Sequence, residues 1–330
     1  MNGGTTRIGV LLPHRVPARE LVSFATAAED AGVDDLWIPE NFGFVGAYSA
    51  AAVALASTRR IRVGTGISAV PLRHPVANAM EVGTLAGAFP GRYVAGLGMG
   101  VRGWLTELNR WPSSPVREIR EAVRAISGLL RGEKVSASTE LFEMGGVRID
   151  EGVQAPCLVH VGAVGPAMLR VGAQDADGVI LSVLSSPEYV RWARQQVDTA
   201  DGRTEVVCFV NLSIDDGGTE PAAALLREDT AFLLAAMGRS PLIEPLGIGD
   251  ELTKLLADHG HDRGELARVL PARWIEQMSI VGTVTQCAER VRDYIEAGAD
   301  TVVLAPKPAA AAHAIVARIP ELLVQELSDR

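Results

Sequence analysis

Short runs that are apolar on both faces alternate along this chain with longer stretches whose apolar residues recur every three or four positions. Arg7 to Leu12 (RIGVLL) is the first such run. Pro17 then opens a helical pattern with Leu21, Phe24, Ala25 and Ala28 on one face, and Gly32 stops it. Proline just inside the start and glycine just past the end is the asymmetry helices favour. Further strands are predicted at Asp35 to Ile38, Ile61 to Gly66, Tyr93 to Leu97, Cys157 to Val161, Gly178 to Leu181, Glu205 to Ile214 and Thr301 to Leu304. Helices are predicted from Ala47 to Ala56, from Pro75 to before Pro90, from Pro115 to Arg131, from Ser186-Pro187 onward, and from about Thr285 to Ala297. The Pro115 helix is the clearest. Ser114 is placed to cap it, and Ile119, Val123, Ile126 and Leu130 form its apolar stripe.

Eight buried-type strands separated by amphipathic helices predict a parallel sheet closed into a (β/α)8 TIM barrel, in the α/β class. Residues 217–278 break the rhythm. They are helical in composition, contain no clear strand, and read as a helical insertion after the seventh strand of a single domain spanning 1–330.

Composition narrows the function. Hydrophobic residues make up 48% and aromatics 5%, so the core packs small branched side chains, as barrel interiors do. A net charge of −9 without a basic run argues against nucleic-acid binding. No stretch approaches the roughly 18 apolar residues of a membrane span. Met1 to Thr6 carries no apolar signal region, and a reducing cytoplasm is the expected compartment. Cys157, Cys208 and Cys287 are odd in number and widely spaced, which suggests buried core thiols rather than disulfides. His259 and His261 lack supporting ligands, so no metal site is expected.

A barrel carries its chemistry on the loops that follow its strands. The candidates there are His14, Glu40 and Asn41, Ser68, Met99 and Arg102, Gly162 to Pro166, Ser182, and Gly282-Thr283. Gly98 to Gly103 (GMGVRG) is a formal GxGxxG, but it follows the fourth strand, and Trp104 and Pro112 interrupt the helix it should open. A tight turn that lets a ligand approach the backbone is the plainer reading. Val161 to Leu169 (VGAVGPAML) offers a strand, a glycine turn and a proline at a helix start, which suits a phosphate, although an ordinary turn reads the same way. Glu40 could relay a proton or bond a polar ring edge, or be a solvated loop acid. His74, at a helix start, is expected to bond nearby backbone.

The ordered set AEDAGVDDLWIPEN (28–41), RIRVGTG with PLRHP (60–75), FPGRYVAGLGMG (89–100), GLLRGE (128–133), VGAVGPAMLRVGAQDADGVIL (161–181) and VGTVTQCAERVRDYIEAGADTVVL (281–304) resembles the luciferase-like family of flavin and deazaflavin enzymes. The phrasing after the fourth and fifth strands is closer to the branch that uses coenzyme F420. The resemblance implies a TIM barrel, often a homodimer, with the cofactor across the C-terminal face. It implies a non-prolyl cis peptide at Gly66-Ile67 that bends the cofactor's middle ring, with Ser68 and Ala69 at the ring edge. Gly98 and Met99 would approach the cofactor. Gly162, Gly165, Pro166, Met168 and Leu169 would hold its ribityl and phosphate part. His14 and Trp104 are expected at the substrate pocket, and Glu40 and Asn41 at the reacting centre.

Two departures stand out. Many F420 enzymes carry Asp-His where this chain has Glu40-Asn41, and some place an acid where it has Val101. Asparagine hydrogen-bonds but does not titrate. The acid–base machinery of the sugar-phosphate dehydrogenases is therefore absent at both matched places, and either the proton comes from His14, Glu107 or the substrate itself or the reaction needs little help beyond hydride transfer. The expected activity is F420-dependent hydride transfer to or from a small organic substrate. The alternatives are an FMN-dependent monooxygenase and a non-catalytic flavin-binding barrel.

Overall fold

The computed structural model describes residues 6–198, 204–260 and 262–328. Among these, eight strands form a barrel: β1 (Arg7–Leu11), β2 (Asp35–Ile38), β3 (Arg62–Thr65), β4 (Tyr93–Gly98), β5 (Leu158–Gly162), β6 (Gly178–Leu181), β7 (Glu205–Ile214) and β8 (Thr301–Pro306). Each pairs in parallel with the next, and β8 returns to β1, which closes the ring.

Alternation along a strand sends every second side chain inward, and the inward positions stack in layers. At the N-terminal end the layer is ionic. Asp35 bonds Arg7 and Arg62, Arg62 reaches Glu205 at 3.1 Å, and His160 Nε2 lies 3.2 Å from Glu205 Oε2. Above it is a separate apolar cluster of Trp37, Val94, Ile180, Val207, Phe209 and Val303. Gly64 makes room for Trp37, because a Cβ there would sit 2.5 Å from the indole ring. Gly66 makes room for Phe209 in the same way. The helices pack outside, with Leu21, Phe24, Ala25 and Ala28 buried as their spacing predicts.

The stretch 217–278 is helical, with helices Thr219–Ala224, Arg227–Met237, Gly249–His259, Arg263–Val269 and Ala272–Met278. It follows the C-terminal end of β7. Lys307 at the end of β8 grips Asp229 of the insertion at 2.5 Å, and Pro241 reaches within contact distance of the position a Gly165 Cβ would occupy.

Several details depart from expectation. A short strand, Ser279–Gly282, pairs with the last four residues of β7, beyond the end of β6. Four residues directly after a helix carry too little periodicity to announce it. An antiparallel hairpin, Val135–Ser138 with Glu143–Val147, precedes β5; its small polar residues hide the alternation. Ser114 makes no side-chain cap bond, since its backbone leaves the geometry a cap needs. Trp104 does not interrupt a helix but lies inside one, Arg102–Glu107, which ends before the left-handed Asn109. Cys208 and Cys287 are buried, but Cys157 is only half-buried, one residue ahead of β5. His259 pairs with Glu265 at 3.1 Å, while His261 and Met1 to Thr5 lie outside the described residues.

The ionic layer makes a testable claim about acid stability. Burial alone would raise the Glu205 carboxyl, but His160 and Arg62 outweigh it and hold it at about 2. A depressed carboxylate contributes stability above its unfolded value and loses it as pH falls through the folded one. Urea unfolding between pH 6 and pH 3 is expected to show stability falling from about pH 4.5 downward. Glu205→Gln should lower stability at neutral pH and flatten this acid limb.

Candidate active site

At the top of the barrel interior, β4 and β5 end in Gly98 and Gly162, and Gly66 directly follows β3. The peptide Gly66-Ile67 is cis. Ile67 lies across the glycines, since a Cβ on Gly98 or Gly162 would come within 2.8 or 2.9 Å of its side chain. Leu11, Ile67 and Val183 top the interior cluster and remain partly exposed. On the β3–β5 side the mouth therefore presents the apolar Ile67 over Gly98 and Gly162.

Glu40 is not a free acid. Its carboxylate takes two hydrogen bonds from Arg73, each 2.6 Å, and accepts from Ala69 N–H at 3.1 Å and Ser68 Oγ at 3.3 Å. Burial alone would raise this carboxyl, but Arg73 and the Ala69 and Ala47 N–H groups outweigh it and hold it below the usual range. The Arg73 guanidinium also lies over the buried Tyr48 ring at 5.2 Å. The pair ties the β2 loop to the segment that follows the cis peptide. Asn41 is half-buried beside it.

The other expected residues divide into those that reach the mouth and those that do not. Gly66, Ile67, Gly162, Gly165, Met168 and His14 are half-buried there, and Pro166 is exposed. Ser68, Ala69, Gly98 and Met99 are buried and support it from below. Leu169 is fully buried in the core, so its side chain cannot line a ligand; it lies on the inner face of its helix. That helix, Pro166–Asp175, starts at Gly165 with no side-chain cap, which leaves its N-terminus open to an anion. Trp104 is half-buried, and Arg102 lies over Trp111. Ser182 is half-buried at the top of β6. Thr283 is occupied by a capping box with Gln286. His74 caps its helix by accepting from Val76 N–H, as expected.

The sequence reading missed Arg73, Trp37, Phe209, Lys307 and Asp229. Arg73 lies within the quoted stretch 60–75, but nothing in its neighbours singles it out as the partner of Glu40. Two grooves of about 370 and 420 Å³ lie elsewhere, around Arg273 and Arg290 and around Arg124 and Asp175. Their cations are already paired with nearby acids, and neither has a glycine floor.

Residues 5–301 match the luciferase-like monooxygenase family. The chain belongs to that family. It is 26% identical over 299 residues to a 5,10-methylenetetrahydromethanopterin reductase of Archaeoglobus fulgidus, covering 86% of this chain and 88% of the relative. It is 28% identical over 304 residues to an F420-dependent glucose-6-phosphate dehydrogenase of Kineococcus radiotolerans, covering 84% of each. The fold is that of the F420-dependent tetrahydromethanopterin reductase of Methanopyrus kandleri, with a TM-score of 0.81 and 22% identity over 96% of this chain and 99% of that one. Within the family frame, the cis peptide stands at the end of β3 and the glycine turn follows β5.

The Glu40–Arg73 pair gives a direct prediction. Arg73→Leu leaves a buried carboxylate without its cation, and chemical denaturation should register a loss of about 3 kcal/mol. Arg73→Lys should recover only part of it, because a point charge cannot replace the two-pronged contact.

Proposed function

We propose that this chain is a coenzyme F420-dependent oxidoreductase that moves a hydride between C5 of the deazaflavin and a small organic substrate. The observation that carries this reading is the glycine-floored side of the mouth, roofed only by Ile67 and flanked by an uncapped helix start at Gly165. A planar tricyclic ring fits such a floor, and a phosphate fits such a helix end. The F420-dependent relatives support the choice of deazaflavin.

Under this reading Gly66, Ile67 and Gly162 hold the ring, with Ser68, Ala69, Gly98 and Met99 beneath them. Gly165, Pro166 and Met168 hold the phosphate-bearing chain. When bound, the cofactor supplies the two-electron chemistry. The protein's part is to orient the ring, keep water from the floor and present polar groups. Glu40, locked to Arg73, fixes the loop that follows the cis peptide. Asn41 offers hydrogen bonds to ring or substrate. Trp104 and the insertion wall the substrate side. The absence of an acid at 101 and of an imidazole at 41 argues against a sugar-phosphate substrate.

The family's description as luciferase-like monooxygenase supports a second reading, with FMN in the same cradle. The test is fluorescence titration of the apo-protein with oxidised F420 and with FMN. Tighter binding of F420 by tenfold or more is expected. Preference for FMN would transfer the protein to the monooxygenase reading. Tight binding of either without turnover would favour a non-catalytic barrel.

We further infer one catalytic domain of 330 residues acting as a cytoplasmic homodimer. Among the described residues no helix is long and apolar enough to cross a membrane. Helices Ala47–Ser57 and Pro75–Ala88 are apolar around most of their circumference, and Val53 and Met80 stand exposed on them. Such helices need a cover. Light scattering should give about twice the 34.9 kDa of one chain, and Met80→Arg should shift the protein toward monomer.

A further inference from the structure

The inward column of β8 runs Thr301, Val303, Ala305 and then Lys307. Thr301 reaches Glu205 of the ionic layer at 3.3 Å, and Val303 lies in the interior apolar cluster. β7 keeps step with it: Phe209 pairs in register with Val303, and Asn211 with Ala305. The Lys307 N–H carries this ladder one residue further by donating to the Leu212 carbonyl at 2.8 Å. Alternation therefore turns Asn211 and Lys307 toward the mouth. Asn211 stands one inward step, about 6.6 Å, above Phe209. The Phe209 ring in turn lies against Gly66, the first residue of the cis peptide.

Both side chains have donors to spare. Asn211 is 1% exposed, and its Nδ2 has no partner. Buried N–H groups are nearly always satisfied, so an unpartnered one at this depth marks a place for an acceptor. The Lys307 ammonium meets one acceptor among the described residues, the Asp229 carboxylate at 2.5 Å, and keeps two N–H groups for another. Asp229 is 46% exposed, and an ion pair with so open a partner is weakly held. Arg15, in the loop after the adjoining strand β1, is exposed and makes no hydrogen bond or ion pair among the described residues. Burial, then Lys307 and Arg15, push the half-buried His14 ring below its usual 6.5, against the pull of Asp229, which places both cations beside that ring. Three adjoining strands thus bring two cations and a buried amide N–H to one rim of the mouth, in a chain whose net charge is −9. A local positive site in an acidic protein draws an anion.

We propose that Lys307 and Asn211 form the subsite for a carboxylate carried by the substrate, and that Asp229 occupies it until the substrate arrives. This rests on the oxidoreductase reading and narrows its small organic substrate to an organic acid. Asp229 already shows that the ammonium takes a carboxylate from the mouth side. A substrate carboxylate has the same two oxygens and the same charge, so it replaces Asp229 one for one. One oxygen accepts from the Lys307 ammonium, the other from Asn211 Nδ2, and Asp229 turns to solvent. Arg15 supplies charge at the rim without a fixed contact. A phosphate would bring a third oxygen and more charge than one ammonium and one amide satisfy.

The chain has three lysines, Lys134, Lys254 and Lys307, so NMR of the whole protein with ¹³C-labelled lysine reads each of them. The Lys307 signal is assigned by its loss in Lys307→Arg, which keeps the charge. The probes are acetate, acetamide as its uncharged counterpart, and inorganic phosphate, each at an ionic strength held constant with sodium chloride. Acetate is expected to move the Lys307 signal saturably and leave Lys134 and Lys254 in place, and acetamide to move none. Asp229→Asn should tighten acetate binding several-fold, because the competing carboxylate is gone, and Asn211→Ala should weaken it several-fold. Binding of oxidised F420 is followed in parallel by fluorescence quenching. Quenching of F420 with a Lys307 signal that ignores acetate, or with an acetate affinity unchanged in Asp229→Asn, would overturn this inference alone. Tighter binding of phosphate than of acetate would overturn the carboxylate assignment. An acetate response in a protein that leaves F420 unquenched would remove the oxidoreductase reading, and with it the assignment of this anion to the substrate.

Discussion

Trp37 and Phe209 fill the middle of the barrel because Gly64 and Gly66 have no side chains to oppose them. A Cβ at Gly64 would meet the indole, and one at Gly66 would meet the Phe209 ring. This exchange of bulk between strands sets the level at which the interior stops. Above it, β3, β4 and β5 offer only Gly66, Gly98 and Gly162, and Ile67 folds across them. The floor of the mouth is thus the upper surface of the packed core, and its shape depends on which inward positions are large and which are empty.

Charge is arranged to leave that floor apolar. At the opposite end of the barrel, Arg7, Asp35, Arg62 and Glu205 satisfy one another across four strands. Ionic residues inside a barrel need such mutual pairing, since a lone buried charge is costly. At the mouth the same rule consumes Glu40 in its pair with Arg73 and Lys307 in its pair with Asp229. A carboxylate held this tightly shapes a loop more readily than it shuttles a proton.

Most of the barrel was legible in the chain because its strands are apolar on both faces and its helices carry 3–4 stripes. The helix Pro115–Leu130 buries Ile119, Val123, Ile126 and Leu130 as its pattern requires. What escaped was either short or relational. The strand Ser279–Gly282 has no room for a period of its own. The hairpin before β5 is built from serines and glycines. The pairing of Glu40 with Arg73 spans 33 residues, and nothing local to either side chain announces it. Leu169 looked like part of a ligand turn by its position after Pro166, but the helix turns it into the core. The cis peptide at Gly66-Ile67 stood where the motif resemblance put it.

The proposed role of the glycine-floored side of the mouth is a seat for a flat redox cofactor. A crystal structure of the protein soaked with oxidised F420 tests it most directly. The tricyclic ring is expected to lie against Ile67 between β3, β4 and β5, with the phosphate at the helix start Gly165-Pro166. A ring seated against the insertion, or a phosphate held away from that helix, would contradict it.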